Sequence, residues 1–157
     1  MHLRHSVPIL FVIAVLTVGA ATALAQHHHT VVPADRVQWQ PGPPFLPAGA
    51  QLAVLEGDPH AKGPVTLRLK FPAGYRIAPH WHSMAEAVTV ISGTFHVGAG
   101  DTLDTSATQA LQPGGFVLLP AKMRHYAWVK GETVVQINLQ GPFDIFYVNP
   151  ADDPMKK

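Results

Sequence analysis

Turn-forming residues recur roughly every eight to twelve positions from Ala50 onward, and this spacing is the strongest constraint on the fold. Glycine and proline separate short segments, as at Gly57-Asp58-Pro59 and Lys130-Gly131-Glu132. Between two such turns, Pro64–Phe71 places apolar residues at alternate positions, which is typical of a half-buried strand in an antiparallel sheet. No amphipathic helix interrupts the series. The pattern predicts a single all-β domain, either a barrel or a sandwich.

The strands themselves follow from the segments between the turns. We predict strands at Gln51–Glu56, Pro64–Phe71, Ala87–Ser92, Thr94–Gly98, Phe116–Leu119, His125–Val129, Thr133–Gln140 and Asp144–Val148. Because only Gly93 separates Ala87–Ser92 from Thr94–Gly98, we expect these two strands to form a hairpin.

A histidine pair with a following glutamate is the most specific chemical feature of the sequence. His80 and His82 stand two apart, so on a strand both imidazoles point the same way, with Cα atoms about 6.6 Å apart. Glu86 comes within reach of the pair if the strand bends after His82. Gly74 and Gly93 bracket the group where a chain can turn without steric cost. Imidazole and carboxylate together suit a first-row divalent metal, although an H-x-H pair alone is also found as hydrogen-bonded core histidines.

The spacing of these residues resembles the first motif of the cupin family. That motif is Gly, five residues, His-x-His, three residues, Glu, six residues, Gly, and Gly74, His80, His82, Glu86 and Gly93 fill every position. The resemblance covers about Ala50 to Val148. It implies a cupin jelly-roll β-barrel, and its details look most like small secreted single-domain cupins with no agreed activity.

The second cupin motif is matched more loosely. Gly114, Pro120 and His125 occupy its glycine, proline and histidine positions, whereas Lys122 replaces an internal glycine and Val129 replaces an asparagine. In cupins the histidine of this motif completes a set of three histidines and one glutamate. The resemblance therefore implies that His125 is the fourth ligand beside His80, His82 and Glu86.

The first 25 residues have the order of a secretory signal peptide. A charged start with Arg4 precedes an apolar run, Val7–Leu24, and Ala23-Leu24-Ala25 is a small-x-small cleavage site. The alternative is an uncleaved membrane anchor, which the run is marginally long enough to form. Pro8 and the cleavage site favour cleavage. We expect a mature chain that begins at Gln26, is periplasmic or secreted, and has no stable membrane insertion after cleavage.

Composition limits the partners and the chemistry of the mature chain. Removal of Arg4 leaves ten basic and ten acidic residues, so no basic surface remains and we expect no nucleic-acid partner. The chain has no cysteine, which excludes disulfides, thiolate zinc sites and iron–sulfur ligation. We predict a proline-rich segment at 26–49, the cupin domain at 50–148 and a polar tail at 149–157. His27-His28-His29 opens the first segment and is either a metal scavenger or a solvated tail.

Residues around the predicted site leave several alternatives open. Gln136 and Asn138 share one face of a strand, and either orient a ligating imidazole or face solvent. If His125 points into the barrel, Tyr126 and Trp128 face the other layer or solvent. The pocket would then be small and apolar, with candidate walls at Tyr75, Met84, Phe95 and Phe143.

Three functions are compatible with these residues. The first is a metal-dependent enzyme, of the dioxygenase or oxidase type or another cupin chemistry, using Fe, Mn, Zn, Ni or Cu. Four protein ligands on a six-coordinate ion leave two open positions for a small-molecule substrate, and Glu86 then either dissociates or acts as a base. The second is a non-catalytic metal or small-ligand binding or sensor module. The third is a barrel stapled by a structural ion. The resemblance also implies a homodimer, because cupins commonly pair through barrel faces.

Overall fold

The structure of the protein is a computed structural model that describes residues 29–156. Within these residues eleven strands form two antiparallel sheets. The strands are β1 Gln40–Pro41, β2 Gln51–Glu56, β3 Gly63–Phe71, β4 Arg76–Trp81, β5 Glu86–Ser92, β6 Phe95–Ala99, β7 Gln109–Leu111, β8 Phe116–Leu119, β9 His125–Val129, β10 Thr133–Gly141 and β11 Phe146–Tyr147. Short 3-10 helices lie at Ala34–Arg36, Pro150–Asp152 and Pro154–Lys156.

The two sheets face each other across one apolar core. The first has the strand order β1-β2-β3-β10-β5-β8, and the second has the order β11-β4-β9-β6-β7. A single cluster of buried apolar side chains draws on both sheets. The prediction of an all-β jelly-roll barrel is thus confirmed. Gln51–Glu56, Phe116–Leu119 and His125–Val129 coincide with the predicted strands.

The predicted hairpin of Ala87–Ser92 with Thr94–Gly98 is wrong. β5 pairs with β10 and β8 in the first sheet, whereas β6 pairs with β9 and β7 in the second. The chain crosses between the sheets at Gly93, whose φ is 78°. A Cβ there would lie 2.5 Å from the Glu132 carbonyl oxygen, so the crossing requires glycine. Alternation along the strands does not distinguish a turn that folds back from one that changes sheet.

The strict alternation in β3 provides one wall of the core. Its inward residues Val65, Leu67, Leu69 and Phe71 are all at most 3% exposed. Full burial of an aliphatic or aromatic side chain contributes about 1.5–3 kcal/mol. The Phe71 ring stacks on Tyr75 and Phe95, with centroids 5.0 and 6.4 Å away. Tyr75 therefore belongs to the packed core, where its ring joins β3 to the start of β4.

The proline-rich segment lies against the barrel. Leu46 and Ala50 are buried in the core, and β1 pairs with β2. The hydroxyl of Tyr75 donates to the Pro47 carbonyl oxygen, and the hydroxyl of Tyr147 donates to that of Phe45. Two tyrosines, one just before β4 and one in β11, thus hold this segment in place.

A loop closes over the outer face of the second sheet. Tyr126 points outward as the alternation of β9 predicts, yet it is only 1% exposed. Its ring packs against Gly98, and its hydroxyl donates to the Asp104 carbonyl oxygen at 3.1 Å. The neighbouring Trp128 stacks on His96.

The predicted signal peptide at 1–25 and two of the three clustered histidines, His27 and His28, lie outside the described residues. Over residues 29–156, no helix has the length and apolar character needed to cross a membrane.

Candidate metal centre

Four side chains from three strands and one loop converge inside the barrel. His80 in β4 is the register partner of His125, the first residue of β9. His82 follows the end of β4, and Glu86 begins β5 in the opposite sheet. All four residues are buried, with exposures from 2 to 7%. The sequence-predicted set is therefore brought together across both sheets.

The distances within the group are those of a single compact cluster. The ring centroids of His80 and His125 lie 4.2 Å apart, and His82 lies 5.0 and 5.1 Å from them. One nitrogen from each of the three rings lies within 4.8 Å of the other two. Glu86 Oε2 is 3.4 Å from His82 Nε2 and 3.9 Å from His125 Nε2. Three ring nitrogens thus face one another closely enough to share an ion, and the Glu86 carboxylate lies beside two of the rings.

Each imidazole is oriented by a backbone carbonyl on its outer nitrogen. Nδ1 of His80 lies 2.7 Å from the Ala78 carbonyl oxygen, and Nδ1 of His125 lies 3.0 Å from that of Met123. Nδ1 of His82 lies 2.5 Å from the carbonyl oxygen of Asp144. Because a carbonyl only accepts, each Nδ1 carries its proton, which leaves the Nε2 of a neutral ring free to bind a metal.

Asp144 supports His82 a second time through its side chain. The carboxylate of Asp144 accepts hydrogen bonds from the backbone N–H of Ser83, at 2.9 Å, and from the Ser83 hydroxyl. The loop between β10 and β11 is thereby tied to the turn that carries His82. Asp144 therefore fixes both the ring orientation of His82 and the path of the chain beside it.

Burial and the opposing charges set the protonation of the cluster. Burial lowers the pKa of His80 well below its usual range, and the neighbouring rings of His125 and His82 lower it further. Burial also lowers the pKa of His125. Burial opposes charge on both His82 and Glu86, but their mutual attraction outweighs it, raising the pKa of His82 and lowering that of Glu86. Two imidazoles are thus held neutral, and the third faces an ionised carboxylate.

The cluster passes the chemical test for a divalent metal. His82 Nε2 is buried and forms no hydrogen bond; it faces only the Glu86 carboxylate at 3.4 Å, an arrangement that a bound cation would satisfy. It borders a cavity of about 30 Å³ whose other walls are mainly apolar side chains from both sheets. A water needs at least about 10–15 Å³, so there is room for an ion and one or two small ligands.

Several candidate residues lie away from the site. The Gln136 side chain accepts from Arg68 Nε, and the Asn138 amide donates to Thr66, both on the outer face of the first sheet. The hypothesis that they orient a ligating imidazole is therefore wrong. Backbone carbonyls and Asp144 perform that role instead. Carbonyl partners carry no sequence signal, and Asp144 is distant in the chain from His82.

The replacement of the second-motif glycine leaves its turn intact. Lys122 has a φ of 64°, the left-handed conformation that glycine adopts most readily. Its N–H donates to the His82 carbonyl oxygen at 2.8 Å, and Met123 N–H donates to that of Pro120 at 3.1 Å. The turn therefore still delivers the Met123 carbonyl to His125.

The two-sheet barrel with three inward histidines defines a cupin, and the fold, the cluster and the family together support a metal-binding one. The family model of the ChrR cupin-like domain matches residues 26–144. The chain belongs to this family. Among curated proteins, none matches the chain significantly.

Solved structures share the fold at low sequence identity. A "putative acetylacetone dioxygenase" from Methylibium petroleiphilum PM1 is 20% identical with a TM-score of 0.62, covering 83% of this chain and 88% of that one. The polyketide cyclase RemF from Streptomyces resistomycificus is 17% identical with a TM-score of 0.62, covering 82% and 92%. The Rhodobacter sphaeroides complex of SigE with the anti-sigma ChrR gives 17% identity and a TM-score of 0.50, covering 68% and 51%.

Proposed function

We propose that the protein binds one divalent transition metal through His80, His82, Glu86 and His125 and is an oxidase- or dioxygenase-like enzyme acting on a small molecule. The observation that carries the proposal is the set of three Nδ1–carbonyl contacts. They aim three Nε2 lone pairs at one buried point beside a carboxylate. A histidine buried only for packing does not require two neighbouring histidines whose Nδ1 atoms also face backbone carbonyls.

The residues around the site determine what reaches it. A bound ion would act as a Lewis acid or redox centre. The apolar cavity walls exclude bulk water, and the room left admits ligands of the size of dioxygen or one small polar group. Glu86 is the group suited to give up a ligand position or to accept a proton, because it is the one carboxylate in the cluster. The comparisons add support, since two solved structures of similar fold are described as a "putative acetylacetone dioxygenase" and a polyketide cyclase.

Metal analysis tests the binding step. Protein purified without an affinity tag is expected to carry about one ion per chain, and deletion of His27–His29 should leave that ion in place. His80→Ala and His82→Ala should lose it, because each removes one of four ligands. Metal content that follows the histidine tail and survives both alanine substitutions contradicts the proposed site.

Glu86→Gln tests whether the ion is catalytic. Glutamine keeps the side-chain shape and one oxygen but removes the negative charge. We expect the variant to retain much of the metal and to lose most oxygen uptake in a screen of small phenols, diketones and hydroxy acids. His82→Ala should lose metal and turnover together. A protein with no turnover, whose melting temperature falls in step with metal loss in both variants, contains a structural ion instead.

A non-catalytic sensor or binding module is the second candidate. The family description and the sharing of fold with the anti-sigma ChrR favour it. This chain spans about half the length of that ChrR chain. A sensor predicts stoichiometric metal or ligand binding, no turnover, and a bound state that changes affinity for another protein. Absence of oxygen uptake with a fully loaded protein would favour this candidate.

We also propose export of the mature chain to the periplasm or the medium. The support is the charged start, the apolar run and the Ala-x-Ala site before Gln26. Intact mass of the fractionated protein is expected to correspond to a start at Gln26. Recovery of residues 1–25 in a membrane fraction would contradict export by cleavage.

A further inference from the structure

Phe143 separates the metal centre from a larger groove on the surface. Its half-buried side chain lines the inner cavity of about 30 Å³ beside His82 and Glu86, and also a small rim cavity next to Glu86. On its other side it lines a groove of about 270 Å³. Among the cavities that the described residues form, Phe143 is thus common to the inner site and this groove.

Hydrogen bonds hold the backbone around Phe143, whereas only packing contacts hold its side chain. Its N–H donates to the Pro59 carbonyl oxygen at 2.7 Å, and the adjacent Asp144 carboxylate binds Ser83. The ring makes only packing contacts: its centroid lies 6.0 Å from that of His82, with the planes inclined by 27°, and 5.4 Å from that of Phe45, which it meets edge-on. Rotation about its side-chain bonds would therefore join the two spaces without moving the loop.

The groove has the chemistry of a small-ligand site. Its walls are mainly ring and apolar side chains, from Pro41–Phe45, Leu52 and Pro59, with His60 and Gln40 as polar groups at the edge. No Asp, Glu, Lys or Arg side chain lines it. Ligand pockets generally have volumes of roughly 300–1,000 Å³, so this groove suits a molecule of about one ring.

We propose that this groove binds a small, flat, uncharged molecule, an aromatic or conjugated carbonyl compound, and that Phe143 swings aside to admit its polar end to the metal centre. The inner cavity is too small for such a molecule, so its apolar body must stay outside. Proline and phenylalanine rings offer flat apolar faces for that body. The inference rests on the proposed function for the role of the metal. Binding in the groove and movement of the Phe143 ring, which we call the gate, are testable without any metal.

The groove is tested with p-cresol and metal-free protein. Saturation-transfer NMR should show binding to the wild type, and Pro44→Trp should weaken it about tenfold or more by filling the groove. Val54→Trp introduces the same side chain on an exposed part of β2 outside the groove and should not change the affinity. Absence of p-cresol binding, or equal binding to both tryptophan variants, overturns the groove as the site.

The gate is tested by chemical modification of His82. In the metal-free protein, diethyl pyrocarbonate should modify His82 about tenfold faster in Phe143→Ala than in the wild type, because local opening limits access to a buried group. Phe146→Ala is the matched control and should leave the rate unchanged, with exposed His60 as the internal standard. If Phe143→Ala fails to fold, Phe143→Leu replaces it.

An unchanged rate of His82 modification in a folded Phe143 variant overturns the gate. Loss of metal binding alone would contradict only the proposed function.

Discussion

Lys122 holds a backbone conformation that costs energy for any residue with a Cβ. Its φ of 64° places it in the left-handed region, which costs an L-residue roughly 1–2 kcal/mol. The turn nevertheless persists because the N–H of Lys122 donates to His82 and the turn leads directly into His125. The metal centre thus depends on a residue that supplies no ligand to it.

Replacing Lys122 by glycine should stabilise the protein. We expect Lys122→Gly to raise the free energy of unfolding by about 0.5–1 kcal/mol, because the relief of strain exceeds the added flexibility of the unfolded chain. Urea denaturation measures the change. Lys122→Ala removes the charge but keeps the Cβ, so it should show no such gain. Equal stability of the glycine and alanine variants would contradict strain at this position.

At the scale of elements, the loop between β10 and β11 acts as a brace for His82. The side-chain carboxylate of Asp144 holds the turn at Ser83, and the backbone carbonyl oxygen of Asp144 faces Nδ1 of His82. A change in this loop would therefore alter the orientation of His82 without removing a metal ligand.

Asp144→Ala should weaken metal binding without abolishing it. The substitution keeps the backbone carbonyl that faces His82 but removes the carboxylate that holds Ser83 beside it. Because loss of support around a metal ligand typically costs about 10–100-fold in metal affinity, we expect a loss near the lower end, about tenfold, with unchanged stoichiometry. Competition with a chelator measures the affinity. Ser106→Ala, which removes a hydrogen bond to Asp104 in a surface loop, is the control. An affinity equal to that of the wild type would show that the Asp144 carboxylate does not help to position His82.

The proline-rich segment is a second element whose attachment can be measured. Burial raises the pKa of the Tyr75 hydroxyl, and the nearby Tyr147 raises it further. Since the folded pKa lies above the unfolded value, the stabilising effect is complete below about pH 10 and declines as pH rises above it. The melting temperature should therefore fall above pH 10, and Tyr75→Phe should make the fall shallower. The same slope in both proteins would contradict this contribution.

The sequence predicted the elements better than their connections. The positions of β2, β8 and β9 follow from alternation between turns, and the four converging side chains follow from motif spacing. The change of sheet at Gly93 depends on packing against Glu132, which local alternation does not encode. The carbonyl partners of the histidines could not be predicted either, because every residue type has a backbone carbonyl.

At the scale of the whole molecule, one sheet edge exposes large apolar side chains. β8 is the outer strand of the first sheet, and over residues 29–156 its outer edge pairs with no other strand. Phe116 and Leu118 on this strand are 58 and 57% exposed, and Ile91 on neighbouring β5 is 41% exposed. An apolar edge strand without a partner is prone to association.

We propose that the homodimer expected from the resemblance forms through β8. The double substitution Phe116→Lys and Leu118→Lys should give a monomer with an intact barrel, because it places charge on the apolar edge. Light scattering after size exclusion measures the mass, and circular dichroism monitors the fold. Met155→Lys changes an equally exposed residue elsewhere and should leave the dimer in place. A wild-type monomer, or a dimer unaffected by the double substitution, contradicts this interface.

The division of the four side chains between the sheets has a consequence for the order of assembly. Glu86 belongs to the first sheet, and His80 and His125 belong to the second, with β5 to β8 between the two histidines in the chain. The group therefore exists only after β9 has formed and the sheets have docked. During refolding, far-UV circular dichroism should report the strands first. The absorbance of cobalt bound at these side chains should appear later, and its rate would report when the two sheets dock.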